Sequence, residues 1–217
     1  FPFPISRNAL PPVLKEHKRA FEPIFRQAQD RLRTVFGMEM VPLPTREKRG
    51  IISQAARRNA KQNRKAVPAI SNSWVLVNII PSDERDGMIA WGNERPNLAL
   101  LCIILSFIYA NGRSIADDVL NSYLRPMGLS KGTQNSTFGS IEEALEMFAK
   151  YAYIEKIKIP NADADKYEYI WGPRAKVEFT EDNVVEFMTE IYPEMNDTAK
   201  GRLAKDIRRQ GGQKQVA

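Results

Sequence analysis

A chain of 217 residues and 24.7 kDa holds one large domain or two small ones. With 43% apolar and 27% charged residues, it is neither wholly disordered, nor a collagen-like fibre, nor a disulfide-framed scaffold. Its one cysteine, Cys102, and one histidine, His17, leave no intrachain disulfide and argue against Cys₂His₂ and His₃ metal sites and a Cys–His nucleophile pair.

Pro11-Pro12 opens a helical stretch in which Leu14, Phe21, Phe25, Ala28, Leu32 and Val35 recur at helical steps. Pro23 interrupts it, and proline is tolerated only in a first turn, so two helices are expected, 13–21 and 23–36, the second ended by Gly37. Strands are expected over 38–43 and 73–80. Between them runs a stretch too long for an ordinary connection, a functional or disordered loop. Residues 81–96 read as a linker with Trp91 as an apolar anchor. The run LALLCIILSFIYA, 98–110, is 13 residues long, short of the roughly 20 that a bilayer needs, and reads as a buried core helix. Asn111-Gly112 ends it. Ser114 is expected to cap a helix reaching about Pro126, and Ser140 with Glu143 forms a capping box for a helix to about Tyr151. Alternating strands follow at 153–159 and 167–171. Thr180 is expected to cap a helix through Ile191, and Thr198 a basic last helix fading at Gly211-Gly212. Three helices followed by a β-hairpin is the winged-helix arrangement, and the first half repeats it without the opening helix.

Charge is unevenly placed. The net +6 divides into +7 over residues 45–66, +5 over 198–217 and −6 over the rest, an acidic body with two basic appendages. Such focusing favours a polyanionic partner, usually nucleic acid; a solvated linker or a nuclear import signal is the plainer reading. The start FPFPI lacks a basic region and a continuous apolar run, so no secretory or membrane segment is expected.

Phe36-Gly-Met-Glu-Met, Trp74-Val-Leu-Val-Asn78, the 100–112 run LLCIILSFIYANG and above all Tyr167-Glu-Tyr-Ile-Trp-Gly-Pro-Arg-Ala175 resemble the MAGE homology domain, in order from about residue 5 to 190. The resemblance implies a mainly α fold with short β-hairpins (α+β), built as tandem winged-helix subdomains: 1–80 with its long basic loop 45–71, a linker 81–97, 98–192 with its following helix, and a basic helix or tail 193–217. The family domain opens with one further helix, which would precede Phe1. The resemblance also implies a non-enzymatic role, most like that of the MAGE-type subunit of the SMC five–six chromosome complex. There it sits in the nucleus with a RING-type subunit and a kleisin, and indirectly with the SMC ATPases. The first subdomain would carry the RING partner and the second the kleisin. A cofactor of a RING ubiquitin or SUMO ligase and a sequence-specific winged-helix transcription regulator are the rival readings.

No catalytic constellation, Gly-rich phosphate loop, cofactor or metal site is read from the residues. Glu142 and Glu143 suit a helix N-terminus, and Cys102 among Leu and Ile suits a core. Candidate contacts to double-stranded DNA, through phosphates and without base readout, are Arg57, Arg58, Lys61, Arg64 and Lys65 in the basic loop. The second winged helix adds Lys150, Lys156, Lys158, Lys166, Arg174 and Lys176; alternation places Lys156 and Lys158 on one strand face, where a lysine-protected edge strand is the plain alternative. Glu142, Glu143 and Glu146 oppose a recognition helix in the major groove. Leu100, Ile104, Phe107 and Ile108 are candidates for a kleisin groove or, on the plain reading, for the core.

Overall fold

Helical spacing of Phe21, Phe25, Ala28 and Leu32 produces α1 (Phe21–Phe36), a single helix that accommodates Pro23 in its first turn. Gly37 ends it in the left-handed region at φ 60°, and a Cβ there would stand 2.4 Å from the Ile80 side chain, so both conformation and space require glycine. The computed structural model describes residues 3–10, 14, 20–45, 70–85, 94–159 and 166–212; most of the helix expected over 13–21, and the basic residues Arg57, Arg58, Lys61, Arg64 and Lys65, lie outside them. The chain divides into two units, Phe1–Trp91 and Gly92–Ala217.

In the first unit, β2 (Met38–Pro44) and β3 (Ile70–Asn78) form an antiparallel hairpin in register from Met38↔Asn78 to Pro42↔Trp74, and β1 (Ile5–Ser6) pairs with the other side of β3. The sheet order is β1-β3-β2. The side-chain amide of Gln29 donates to the Met40 carbonyl at 2.8 Å and accepts from the Met40 N–H at 3.0 Å, which ties α1 to the edge strand. Phe21, Phe25 and Trp74 stack at centroid distances of 5.2–6.3 Å. Among the described residues only Leu43 and Val75 of this unit are fully buried. A short helix, α2 (Ser82–Arg85), follows within the expected linker.

The second unit has the deep core. Its α3 (Arg95–Ala110) starts three residues before the expected 98, because Pro96 falls in the first turn where no hydrogen bond is lost. The expected Ser114 cap is overturned: Ser114 to Ala116 form β4 (Ser114–Ala116), paired with the later strand β8, and α4 (Asp117–Leu124) begins after it without a side-chain cap. A connection containing the small hairpin β5 (Gln134–Asn135) and β6 (Gly139–Ser140) leads to α5 (Ile141–Lys150). Of the expected Ser140–Glu143 capping box the Ser140 half forms, its hydroxyl accepting from the Glu143 N–H, while that hydroxyl donates to Glu142 rather than Glu143 at 2.9 Å. The wing follows as β7 (Ile154–Lys158) and β8 (Tyr167–Trp171), giving the order β4-β8-β7. This helix–strand–helix–helix–hairpin path is a winged helix, and the first unit shows the same strand order.

Two short steps, α6 (Ala175–Glu178) and α7 (Glu181–Glu190), the latter entered through a Thr180–Asn183 capping box, lead to α8 (Asp197–Gly212). Here Asn196 rather than Thr198 is the cap, its side-chain Oδ1 accepting from the Ala199 N–H at 2.9 Å. Within the segment 193–217 the described residues include this helix, and its Ile207 joins the core of the second unit, together with Leu100, Leu105, Tyr109, Phe148 and Trp171.

Candidate nucleic-acid and partner interface

The antiparallel β2–β3 pair makes residues 45–69 the connection of a wing hairpin, and those residues carry the +7 charge. The five basic residues chosen there lie outside the described residues; the strands that launch them do not.

On the second wing, β7 pairs with β8 from Ile154↔Trp171 to Lys158↔Tyr167. Lys156 and Lys158 share one face, both exposed, and Lys166 stands exposed at the start of β8. The Lys156 ammonium lies 4.4 Å from the centroid of the Tyr167 ring, which steadies it without neutralising it. Lys150 is exposed at the end of α5 and Lys176 on α6.

Arg174 differs from the other candidates. Its Nε donates to Glu178 at 2.7 Å, its guanidinium lies 4.5 Å over the Tyr153 ring, and its side chain is only 11% exposed. The Tyr153 hydroxyl donates to the same carboxylate at 2.7 Å, and burial, then the Glu178 charge, push its pKa well above the ordinary tyrosine value. Around it the Trp-Gly-Pro-Arg-Ala run forms a lock. The Trp171 indole donates to the Leu105 carbonyl at 2.9 Å, a Cβ on Gly172 would stand 2.3 Å from the Ala152 carbonyl oxygen, and Ala175 is fully buried. The most distinctive motif of the chain is therefore structural, and Arg174 is held by an internal carboxylate and ring, not presented to a phosphate.

The α5 surface bears exposed Glu143 and Glu146. Glu142 accepts from the Gly132 N–H at 2.7 Å, and backbone N–H groups, its own first and then that of Gly132, hold its carboxyl below the ordinary range. An acidic helix surface repels the phosphates flanking a major groove.

Three of the four expected groove residues are corrected. Leu100, Ile104 and Ile108 show 0% exposure, because both long faces of α3 are used by the core of the second unit. Phe107 is half-buried, its ring tilted against that of Tyr123 at 5.3 Å; Tyr123 on α4 and Met127 in the turn that follows are exposed. Periodicity could not reveal this, since every face of α3 is apolar. The first unit exposes Val35, Phe36 and Ile79, with the Ile79 N–H bonded to the Gly37 carbonyl at 2.9 Å. Cys102 is half-buried, and burial raises its thiol pKa, as suits an unreactive side chain. Among the described residues no group of metal-ligating side chains assembles, and no helix is long and apolar enough to cross a membrane.

Two winged-helix units joined in one chain, with basic wings and an acidic third helix, define a tandem winged-helix protein of the α+β class. A sequence profile of the MAGE homology domain matches residues 3–182, and the chain belongs to that family. It is 27% identical to the human non-structural maintenance of chromosomes element 3 homolog over 191 residues, 87% of this chain and 55% of that protein. Mouse necdin is 32% identical over 120 residues, 55% of this chain and 37% of necdin. A chain from a solved Nse1-Nse3-Nse4 complex superposes with a TM-score of 0.75 at 27% identity, covering 95% of this chain and 88% of that one. The chain spans about half the length of the curated relatives it matches.

Proposed function

We propose that the protein is a non-enzymatic scaffold subunit of a nuclear SMC-type chromosome-maintenance complex, bridging a RING-type subunit and a kleisin and holding duplex DNA without reading its sequence. The observation that carries this reading is the launch of the +7 segment from a wing hairpin, in a chain that superposes along 95% of its length on a member of the Nse1-Nse3-Nse4 complex. A segment rich in Lys and Arg neutralises phosphates, and the acidic α5 removes the base-reading helix that a sequence-specific regulator needs. Because Leu100, Ile104 and Ile108 are spent on the core, the kleisin contact is assigned to Phe107 with Tyr123 and Met127; Val35, Phe36 and Ile79 are assigned to the RING partner. The SMC ATPases are reached through the kleisin.

Affinity capture of the tagged protein from its own cells tests the assembly. Recovery of SMC ATPases, a kleisin and a RING protein together is expected. A RING ligase without the other two would replace the reading with that of a ligase cofactor. For DNA, reversing Arg57, Arg58, Lys61, Arg64 and Lys65 to Glu lowers the salt dependence of binding to random duplex between about 50 and 200 mM; an unchanged slope makes the segment a linker or import signal.

A further inference from the structure

The last helix lies beyond the family-matched residues 3–182, yet it is built into the second unit. Ile207 is buried, and Gly211 lies so close to the Tyr109 ring that a Cβ would come within 2.3 Å of it. Arg113, itself in the left-handed region at φ 72°, donates from Nε to the Gly211 carbonyl at 2.6 Å and pairs with Glu181. The Tyr109 hydroxyl donates to Glu181 at 3.0 Å, and Arg208 reaches Asp182 at 2.9 Å. Helix α8 is thus fastened along one side, and its Arg208 pairs with Asp182 of α7.

The opposite side carries Arg202, Lys205 and Arg209, all exposed. Their three- and four-residue spacing confines them to an arc of about 60° on a stripe roughly 10 Å long. Each of the three cations can neutralise one phosphate, and their long side chains let the stripe follow the winding backbone of one strand. One acid shares the face: Asp206 pairs with Arg209 at 3.0 Å, with side-chain exposures of 58% and 67%. A pair so exposed is weak and exchanges readily for a phosphate.

We propose that α8 is a second duplex-DNA contact, with Arg202, Lys205 and Arg209 gripping the phosphate backbone of one strand and Asp206 moderating the grip. It rests on the reading of the protein as a DNA-holding subunit but uses a surface separate in sequence from either wing. An acidic protein segment is the competing occupant. Fixed docking of α8 and two arginine forks favour phosphates, because a rigid stripe loses little freedom on meeting an equally regular backbone.

The test measures binding of the full chain to random-sequence duplex between 50 and 200 mM salt, in four forms: unaltered, the wing-segment charge reversal, Arg202→Gln/Lys205→Gln/Arg209→Gln, and Asp206→Asn. Glutamine keeps helix propensity, and equal thermal midpoints confirm an intact fold. The triple variant should lower the log–log salt slope by about 2.7, the share of three phosphates. Asp206→Asn should tighten binding about two- to fivefold. An unchanged slope in the triple variant, with the wing reversal still lowering it, overturns the α8 contact alone. No salt-dependent binding by the unaltered chain overturns the DNA reading itself. Loss of kleisin or RING capture by the triple variant with its DNA slope intact makes α8 a protein-docking helix and also overturns the proposal.

Discussion

The two units share a strand order, β1-β3-β2 in one and β4-β8-β7 in the other, but their described residues differ in depth of burial. In the second, α3, α4, α5 and α8 close over the sheet, and α3 alone contributes Leu100, Leu101, Ile104, Leu105, Ile108 and Tyr109 as fully buried side chains. In the first, α1 has no fully buried residue despite its marked amphipathicity, and only Leu43 and Val75 are sealed among the described residues. The contrast teaches what the long apolar helix does for a winged helix. The sheet and third helix make half a sandwich, and a helix laid across them converts half-burial into a core. It also separates tasks: among the described residues the deep core lies in the second unit, while the +7 segment connects β2 and β3 of the first.

Matched truncations give the largest effect by which that contrast can be broken. Leu105→Ala, at 0% exposure amid α3 neighbours that cannot collapse, should cost about 4–5 kcal/mol, the upper part of the range for buried leucines. Leu43→Ala should cost about 2 kcal/mol, because half-exposed neighbours can close over the gap. Urea unfolding of the two variants measures both. Equal losses would show that core depth does not separate the units.

A pair of glycines within α8 asks whether the last helix belongs to the rigid unit. Gly211→Ala forces a methyl into the Tyr109 ring and should cost about 1–3 kcal/mol, with amide protection lost along α8. Gly201→Ala meets nothing within 4 Å and should stabilise the helix by about 0.5–1 kcal/mol. Opposite signs in thermal unfolding and hydrogen exchange confirm docking; the same sign at both positions means that Tyr109 yields and α8 is peripheral.

Much of this was legible in the residues. Capping at Ser140 and Thr180, the Gly37 stop and the alternation of β7 are local, and the sequence states them; β8 does not alternate, since Tyr169, Ile170 and Trp171 are all buried in this central strand. Ser114 misleads because a cap and an edge-strand start look alike until β8 is present to pair with it. Gly211-Gly212 reads as a helix end by the same local logic, yet Gly211 is there for the Tyr109 ring about a hundred residues earlier. The apolar face of α3 that a partner would use cannot be read from its periodicity, since only the folded unit shows which side chains it consumes. Arg174 looks like any cation in a basic region until Glu178 and Tyr153 close around it.

Ion pairs sharpen the contrast at smaller scale. Arg174→Lys keeps the charge but cannot hold both the Glu178 bond and the Tyr153 stack, and should cost about 1–2 kcal/mol without changing DNA affinity. Its counterpart in the first unit, Arg33 with Glu39 at 2.6 Å, has side-chain exposures of 45% and 30%. Arg33→Lys should leave the unfolding midpoint unchanged, as solvent screens such a pair. A fall in DNA affinity for Arg174→Lys at unchanged stability would return that residue to the phosphate-binding surface.

The smallest effect is a pH dependence at the entry to α5. Backbone N–H groups, its own and that of Gly132, hold the Glu142 carboxyl below its ordinary value, so the folded state prefers the ionised form more strongly than the unfolded chain does. The sign follows from linkage. Its contribution is complete above the ordinary glutamate range near pH 4.3 and fades as pH falls through the lower, folded value. Glu142→Gln removes the charge while leaving an oxygen to accept from Gly132. The gap in thermal midpoint between the unaltered chain and this variant should therefore be constant from pH 7 to about pH 5 and close below pH 4. Were the gap to persist undiminished at pH 3, the tie between the β5–β6 connection and α5 would depend on shape rather than charge. The acidic face that turns α5 away from the major groove would then rest on Glu143 and Glu146 alone.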